Sequence, residues 1–84
     1  MAADVSERTL RTAFQEVYGV GPTRYLQIRN LHRIYRALRA ADPEETSVAK
    51  VLLEHHEWEL GRVAGRYRRL FGELPSETLH AKRS

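Results

Sequence analysis

The chain has 84 residues, enough for one small domain with a modest hydrophobic core. Charged residues make up 30% of it, and it has neither an apolar run long enough for a membrane span nor an N-terminal signal core. The absence of cysteine excludes disulfides and thiolate metal sites and favours a cytoplasmic location. The composition therefore predicts a soluble globular protein.

The net charge of +3 is unevenly distributed. Residues 1–41 carry seven arginines against three acidic residues, a balance of +4. Residues 42–61 carry −5, and residues 62–84 carry +4. Arginine accounts for 12 of the 14 cations, and its side chain suits bidentate contacts to phosphate or guanine. Two basic blocks therefore flank an acidic one, which suggests nucleic acid as a partner.

The first predicted helix begins after Ser6, a favoured N-cap, and ends at Gly19, which suits the left-handed residue after a helix. One face is apolar and is expected in the core, with Leu10, Ala13, Phe14 and Val17 at helical spacing. The opposite face carries Arg8, Arg11, Thr12 and Gln15. Such donors read base edges and hold phosphates, although a merely solvated face would have a similar composition.

A long second helix is predicted over residues 21–41, because Pro22 suits the first helical position and Asp42-Pro43 breaks the helix. About 19 residues give a rod of roughly 28 Å. One side of this helix is apolar and is expected in the core. The rest is basic and comprises Arg24, Arg29, Arg33, Arg36 and Arg39.

Three shorter helices complete the prediction, and no strand pattern is found. Ser47 is the N-cap of the third, and a turn at residues 56–57 separates it from the fourth. The fourth ends at Gly72, Pro75 starts the fifth, and the tail at residues 82–84 is expected to fray. The exposed face of the fourth helix comprises Arg62, Gly65, Arg66 and Arg69.

Catalytic and metal-binding patterns are weak. Adjacent His55 and His56 point apart on a helix end, so a polar turn is the favoured interpretation over a metal site. No Ser/His/Asp arrangement and no Gly-rich phosphate loop is present. We expect no enzymatic activity, no cofactor and no small-molecule site.

The same pattern occurs twice, about 53 residues apart: a helix, then a glycine, then a second helix that begins with proline. Three motifs carry a closer match: VSERTLRTAF at residues 5–14, GVGPTRYL at residues 19–26, and WELGR at residues 58–62 with YRRLFGELPSETL at residues 67–79. In this combination the chain resembles the AraC/XylS family of bacterial transcription regulators. The match covers nearly the whole chain.

The resemblance implies an all-α fold in which two helix-turn-helix units are joined by a long linker helix, as a single partial domain over residues 1–84. Its parts are the first recognition helix at residues 5–19, the linker helix at 21–41, the second helix-turn-helix at 47–72 and a closing helix at 75–81. The implied function is sequence-specific binding of double-stranded DNA, with each recognition helix in a major groove. The implied DNA-contacting residues are Arg8, Arg11, Thr12, Gln15, Arg62, Arg66 and Arg69.

Three departures from the family pattern affect this interpretation. Only residues 1–4 precede the first recognition helix, so Leu10, Phe14 and Val17 lack their usual partner, and exposure could cost each about 1.5–3 kcal/mol of burial. We therefore expect the first unit to be incomplete. Either the helix packs on the linker helix alone, or a second chain covers the stripe, or the chain is unstable without a missing N-terminal region; we favour a fragment or remnant. Bulky Ile34-Tyr35 also replaces the family's usual Ala-Arg.

The third departure is His56-Glu57 in place of Gly-Phe in the second turn. A non-glycine residue in a left-handed turn costs roughly 1 kcal/mol, and Trp58 is expected to fill the space of the missing Phe. Glu57 should also oppose the approach of phosphate. We therefore expect the second unit to anchor DNA nonspecifically while the first helix reads sequence. The alternative function is a remnant that acts as a protein-interaction or dimerisation module with weak, nonspecific DNA binding.

Overall fold

The computed structural model describes residues 6–81, and every helix within that range follows the local signals of the sequence. The five helices are α1 (Glu7–Tyr18), α2 (Pro22–Ala40), α3 (Val48–Glu54), α4 (Leu60–Phe71) and α5 (Pro75–His80). No strand occurs in this part of the chain, so the predicted all-α helix-turn-helix bundle is confirmed. Val5, where the first unit was expected to begin, and the tail at residues 82–84 lie outside the described residues.

Capping residues define the ends of the helices. The Ser6 hydroxyl accepts a hydrogen bond from the Thr9 backbone N–H at 3.1 Å, and Ser47 caps α3 in the same way. Gly19 and Gly72 follow α1 and α4 with φ of 78° and 76°, the left-handed conformation that glycine adopts without a Cβ penalty. Short side-chain and backbone signals thus set the boundaries of the helices that carry the site.

The hydrophobic core surrounds the second half of α2. Leu31, Ile34 and Leu38 of this helix are buried against α3, α4 and α5. The Tyr35 ring also stacks on Phe71 of α4, with ring centroids 4.7 Å apart. The expected bulk at residues 34–35 is therefore accommodated by packing. The remaining core residues are Val51, Leu52, Val63, Tyr67 and Leu79.

A buried hydrogen-bond chain ties α4 to α5. The Tyr67 hydroxyl donates to Thr78 Oγ1 at 2.6 Å, and the Thr78 hydroxyl donates to the Glu73 carboxylate. Tyr67 is fully buried, and burial raises the pKa of its phenol from 10.0 to about 12. The folded protein therefore keeps the Tyr67 phenol protonated and neutral.

We expect the free energy of unfolding to fall as pH rises from 10 toward 12. In that range the unfolded chain releases the Tyr67 proton while the folded protein keeps it, and the loss amounts to about 2–3 kcal/mol. Urea denaturation at a series of pH values measures this slope. Tyr67→Phe should flatten it, whereas Tyr18→Phe, at a half-exposed position, should leave it unchanged. Parallel pH profiles for the wild type and Tyr67→Phe would contradict the assignment.

The apolar face of α1 is not in the core, contrary to expectation. No residue of α1 is buried, and Leu10 and Val17 are 54% and 73% exposed. The helix packs chiefly on the start of α2, where Phe14, Tyr18 and Tyr25 form an aromatic cluster with ring centroids 4.5–5.2 Å apart. Amphipathic spacing predicts a helix, but burial also needs a second surface, and α2 covers only one edge of the stripe.

The turn between α3 and α4 is a Schellman motif. The His56 N–H donates to the Leu53 carbonyl and the Glu57 N–H donates to the Leu52 carbonyl, both at 3.0 Å. His56 has a φ of 64°, which confirms the left-handed residue expected at this position. The turn keeps its geometry without glycine, at a cost in conformational energy.

His56→Gly should raise the free energy of unfolding by about 0.5–1 kcal/mol. Relief of the left-handed strain gains about 1–2 kcal/mol, part of which the greater entropy of an unfolded glycine removes. Urea denaturation followed by circular dichroism measures the change. Arg36→Gly, at an exposed position inside α2, is the control and should lower stability by about 1 kcal/mol. Equal losses for both variants would show that His56 is unstrained.

Candidate nucleic-acid interface

The outward face of α1 brings together the four residues predicted for it. Arg8, Arg11, Thr12 and Gln15 are all exposed. Successive helical residues are 100° apart, so these four side chains share an arc of about 100° opposite the apolar stripe. Beside them, a shallow groove of about 310 Å³ runs between Arg8, Thr12 and Glu16. The face offers two guanidinium groups, a hydroxyl and an amide to a ligand.

Three of these side chains hold weak local partners. Arg11 Nη2 lies 3.2 Å from Glu7 Oε1, but both side chains are mostly exposed, and such surface pairs contribute little. The Thr12 hydroxyl donates to the Arg8 carbonyl at 3.0 Å, and the Gln15 amide donates to the Gly19 carbonyl at 3.0 Å. Solvent-exposed contacts of this kind exchange readily with water, so these side chains remain available to bind a ligand.

The outward face of α4 presents arginines and bare helix backbone. Arg62 and Arg69 are exposed on it, and Arg62 Nη1 lies 3.6 Å from Glu59 Oε1. Gly61 and Gly65 lie beside them, and a Cβ added to either would meet nothing within 4 Å. The backbone of α4 is therefore bare on this side. The face presents cations but few groups that can distinguish bases.

Arg66 lies at the flank of α4 and is tied into the fold. Only 19% of its side chain is exposed, and its Nη2 lies 3.8 Å from Glu57 Oε1. The Arg66 Nε is buried and has no hydrogen-bond partner among residues 6–81. Of the three arginines predicted on α4, Arg66 is thus the one held away from the outward face.

Glu57 is held by a contact that the sequence did not indicate. Asn30 of α2 donates through Nδ2 to Glu57 Oε2 at 2.6 Å and to the His55 carbonyl at 3.1 Å. Asn30, Glu57 and Arg66 form what we call the polar brace, which links α2, the turn and α4. The expectation that Trp58 fills the space of the missing Phe is wrong, because Trp58 is 69% exposed. The polar brace occupies that region instead.

The brace also changes the electrostatics of the second unit. Glu57 was expected to repel phosphate, but its carboxylate contacts Arg66 and accepts a hydrogen bond from Asn30. Glu59 is paired with Arg62. Each of these carboxylates is partly neutralised by an arginine of α4, so the acidic segment opposes an anion less than its formal charge suggests.

The described part of the chain offers neither a cluster of metal ligands nor a membrane-spanning helix. Residues 6–81 contain no group of three or more histidine or acidic side chains arranged to hold a metal ion. His55 Nδ1 donates to the Val51 carbonyl at 2.8 Å, which engages that ring nitrogen within α3. Within the same range no helix combines the length and apolar character needed to span a bilayer.

A helix, a left-handed turn and a second helix with an exposed basic face define a helix-turn-helix domain, a class that binds DNA. Residues 1–81 match the family described as "Helix-turn-helix domain". The chain belongs to this family, and its relatives are AraC/XylS-type transcription regulators, so the resemblance is confirmed.

These relatives are regulators of bacterial operons. The chain is 37% identical over 75 residues to XylDLEGF operon transcriptional activator 2 of Pseudomonas putida, across 89% of this chain and 48% of that protein. It is 36% identical over 77 residues to XylDLEGF operon transcriptional activator of the same organism, across 92% and 24%. It is 36% identical over 75 residues to the probable thc operon regulatory protein of Rhodococcus erythropolis, across 89% and 23%.

The chain therefore spans about half the length of the first of these relatives and about a quarter of the other two. No solved structure matches the chain. DNA binding by a helix-turn-helix domain of a transcription regulator follows from the family.

Proposed function

We propose that the chain is the sequence-specific DNA-binding domain of a cytoplasmic bacterial transcription regulator, with α1 as the recognition helix that reads bases in a major groove. The observation that carries this proposal is the outward face of α1, where Arg8, Arg11, Thr12 and Gln15 are exposed together with only weak local partners. Arginine pairs bidentately with guanine, and glutamine pairs with adenine, so this face can discriminate bases.

In the same proposal α4 anchors the protein in the next major groove without reading sequence. Arg62 and Arg69 contact phosphates, and bare Gly61 and Gly65 let the α4 backbone approach the duplex closely. Arg66 contributes chiefly by holding Glu57, because four-fifths of its side chain is covered. The described chain is 51 Å long and about 22 Å wide, which is compatible with two contacts about 34 Å apart on one face of DNA.

The alternative function, protein interaction or self-association, has one specific observation in its favour. Leu10, Val17, Tyr18 and Leu26 form an apolar surface on α1 and the start of α2 and are 52–73% exposed. Contiguous apolar surface on a small domain marks a contact with another protein or a second copy. In this second candidate the stripe, with Phe14 at its edge, docks on such a partner, and DNA binding is weak and nonspecific.

Fluorescence anisotropy of labelled duplexes at increasing salt separates the two functions. For the DNA-binding proposal we expect salt-dependent binding, with log K falling linearly with log salt, and tighter binding to some duplexes of a varied set. Uniform, weak binding to all duplexes, together with a concentration-dependent dimer in size-exclusion chromatography, would favour the alternative. A Leu10→Ser variant that abolishes the dimer would identify its surface.

A further inference from the structure

A cleft of about 500 Å³ lies between the first half of α2 and the turn that joins α3 to α4. Leu26 contributes an apolar wall. Hydrogen-bond donors dominate the remainder, which includes Thr23, Gln27, Arg29, Arg33, His55 and His56. None of these residues belongs to the predicted DNA-contacting set.

The two arginines of the cleft are free of carboxylates. Neither Arg29 nor Arg33 makes an ion pair with any described residue, whereas Arg11, Arg62 and Arg66 each pair with a glutamate. The Arg29 guanidinium lies 6.0 Å from the Tyr25 ring centroid, in a cation–π contact that leaves its N–H groups unpaired. The cleft therefore contains two cations with unused donors.

Glu57 also borders the cleft, and the polar brace accounts for its charge. Its two oxygens face Asn30 at 2.6 Å and Arg66 at 3.8 Å, and its side chain is only 21% exposed. An anion in the cleft would thus meet Arg29 and Arg33 on the α2 side and a carboxylate that is already engaged. The charge and the number of hydrogen-bond donors in the cleft both favour an anionic ligand.

We propose that this cleft binds a phosphate group, with Arg29 and Arg33 as its principal ligands. The inference rests on the proposed function for the source of the phosphate, which is the DNA backbone. If α1 and α4 occupy successive major grooves, the stretch of duplex between them lies along α2, and a backbone strand bordering the intervening minor groove reaches the cleft. The contact positions the protein on DNA and carries no base information.

The test compares two double variants that remove the same charge from the same helix. Arg29→Gln with Arg33→Gln empties the cleft of its cations. Arg24→Gln with Arg36→Gln is the matched control, because both residues are exposed on α2 and do not border the cleft. Circular dichroism and thermal melting of each variant exclude loss of folding as the cause of any change.

Duplex binding is measured by anisotropy over a range of salt concentrations. For the cleft variant we expect log K to fall less steeply with log salt, with a slope smaller in magnitude by about 0.9, the value for one phosphate contact. At 0.1 M salt this corresponds to about eightfold weaker binding. The control should change affinity less than twofold. Equal effects of the two double variants would overturn the inference, because they would show a general charge effect.

A second arm uses inorganic phosphate on the protein without DNA, with chloride at equal ionic strength as reference, and follows the His55 and His56 ring signals by NMR. We expect weak, saturable shifts in the wild type that the cleft variant loses and the control keeps. Shifts that persist in the cleft variant would overturn the site. Tight phosphate binding combined with unchanged DNA binding in the cleft variant would overturn the DNA backbone as its source. If the wild type fails to bind duplex, the proposed function fails, and this arm alone decides whether the cleft holds phosphate.

Discussion

Replacing Arg8 and Arg11 together by glutamine should weaken binding to a duplex selected by the wild-type protein at least tenfold more than binding to an unselected duplex. Each bidentate arginine–guanine contact is worth about 1–3 kcal/mol of discrimination, and both side chains are exposed on the outward face of α1. The glutamines keep polar hydrogen-bonding groups on the face while they remove its cationic forks. Anisotropy at one fixed salt concentration gives the two affinities.

The control for this prediction is Arg24→Gln with Arg36→Gln, which removes the same charge from α2. That variant should change both affinities about equally and by less than twofold, since neither residue lies on the outward face of α1. Equal losses on the selected and unselected duplexes in the α1 variant would mean that Arg8 and Arg11 hold only phosphates. The base-reading role of α1 would then be wrong, although DNA binding would remain.

Leu38→Ala should destabilise the protein by about 2–5 kcal/mol, the largest stability effect we expect. Leu38 is fully buried at the centre of the core, and truncation there removes transfer energy and leaves a cavity. A domain of this size has a total stability of only about 4–13 kcal/mol, so the variant should lose a large part of it. Urea denaturation followed by circular dichroism measures the loss.

Leu10→Ala is the matched comparison, because it makes the same chemical change on α1. Leu10 is 54% exposed, so the loss should stay below about 1 kcal/mol. The contrast between the two variants tests the finding that the α1 stripe lies outside the core. Destabilisation of Leu10→Ala comparable to that of Leu38→Ala would show that another surface covers the stripe in solution.

Local features of the sequence were sufficient for most of the fold. Capping by Ser6 and Ser47, and the left-handed Gly19 and Gly72, involve neighbours within a few residues of each other. The outward donors of α1 could be predicted for the same reason, since helical spacing alone groups them. The left-handed turn at His56 followed from the family pattern, which has glycine at this position.

The polar brace could not be predicted, because it depends on a contact across 27 residues. Nothing near Asn30 in sequence marks it as the partner of Glu57, and a glutamate in place of Phe suggested a vacancy for Trp58. The stripe itself predicted burial of Leu10 and Val17, and their exposure was expected only because the usual partner upstream of α1 is missing. An apolar stripe shows that a face gains from burial, but whether a second surface exists is a property of the whole fold.

The central claim is that α1 reads base sequence and α4 anchors the protein. Selection of bound duplexes from a random pool, followed by sequencing, tests it most directly when the wild type is compared with Arg8→Gln/Arg11→Gln and with Arg62→Gln. We predict that the α1 variant alters the preferred bases, whereas Arg62→Gln lowers recovery at high salt and leaves those preferences unchanged. An altered base preference in Arg62→Gln, or no preference in the wild type, would contradict the account.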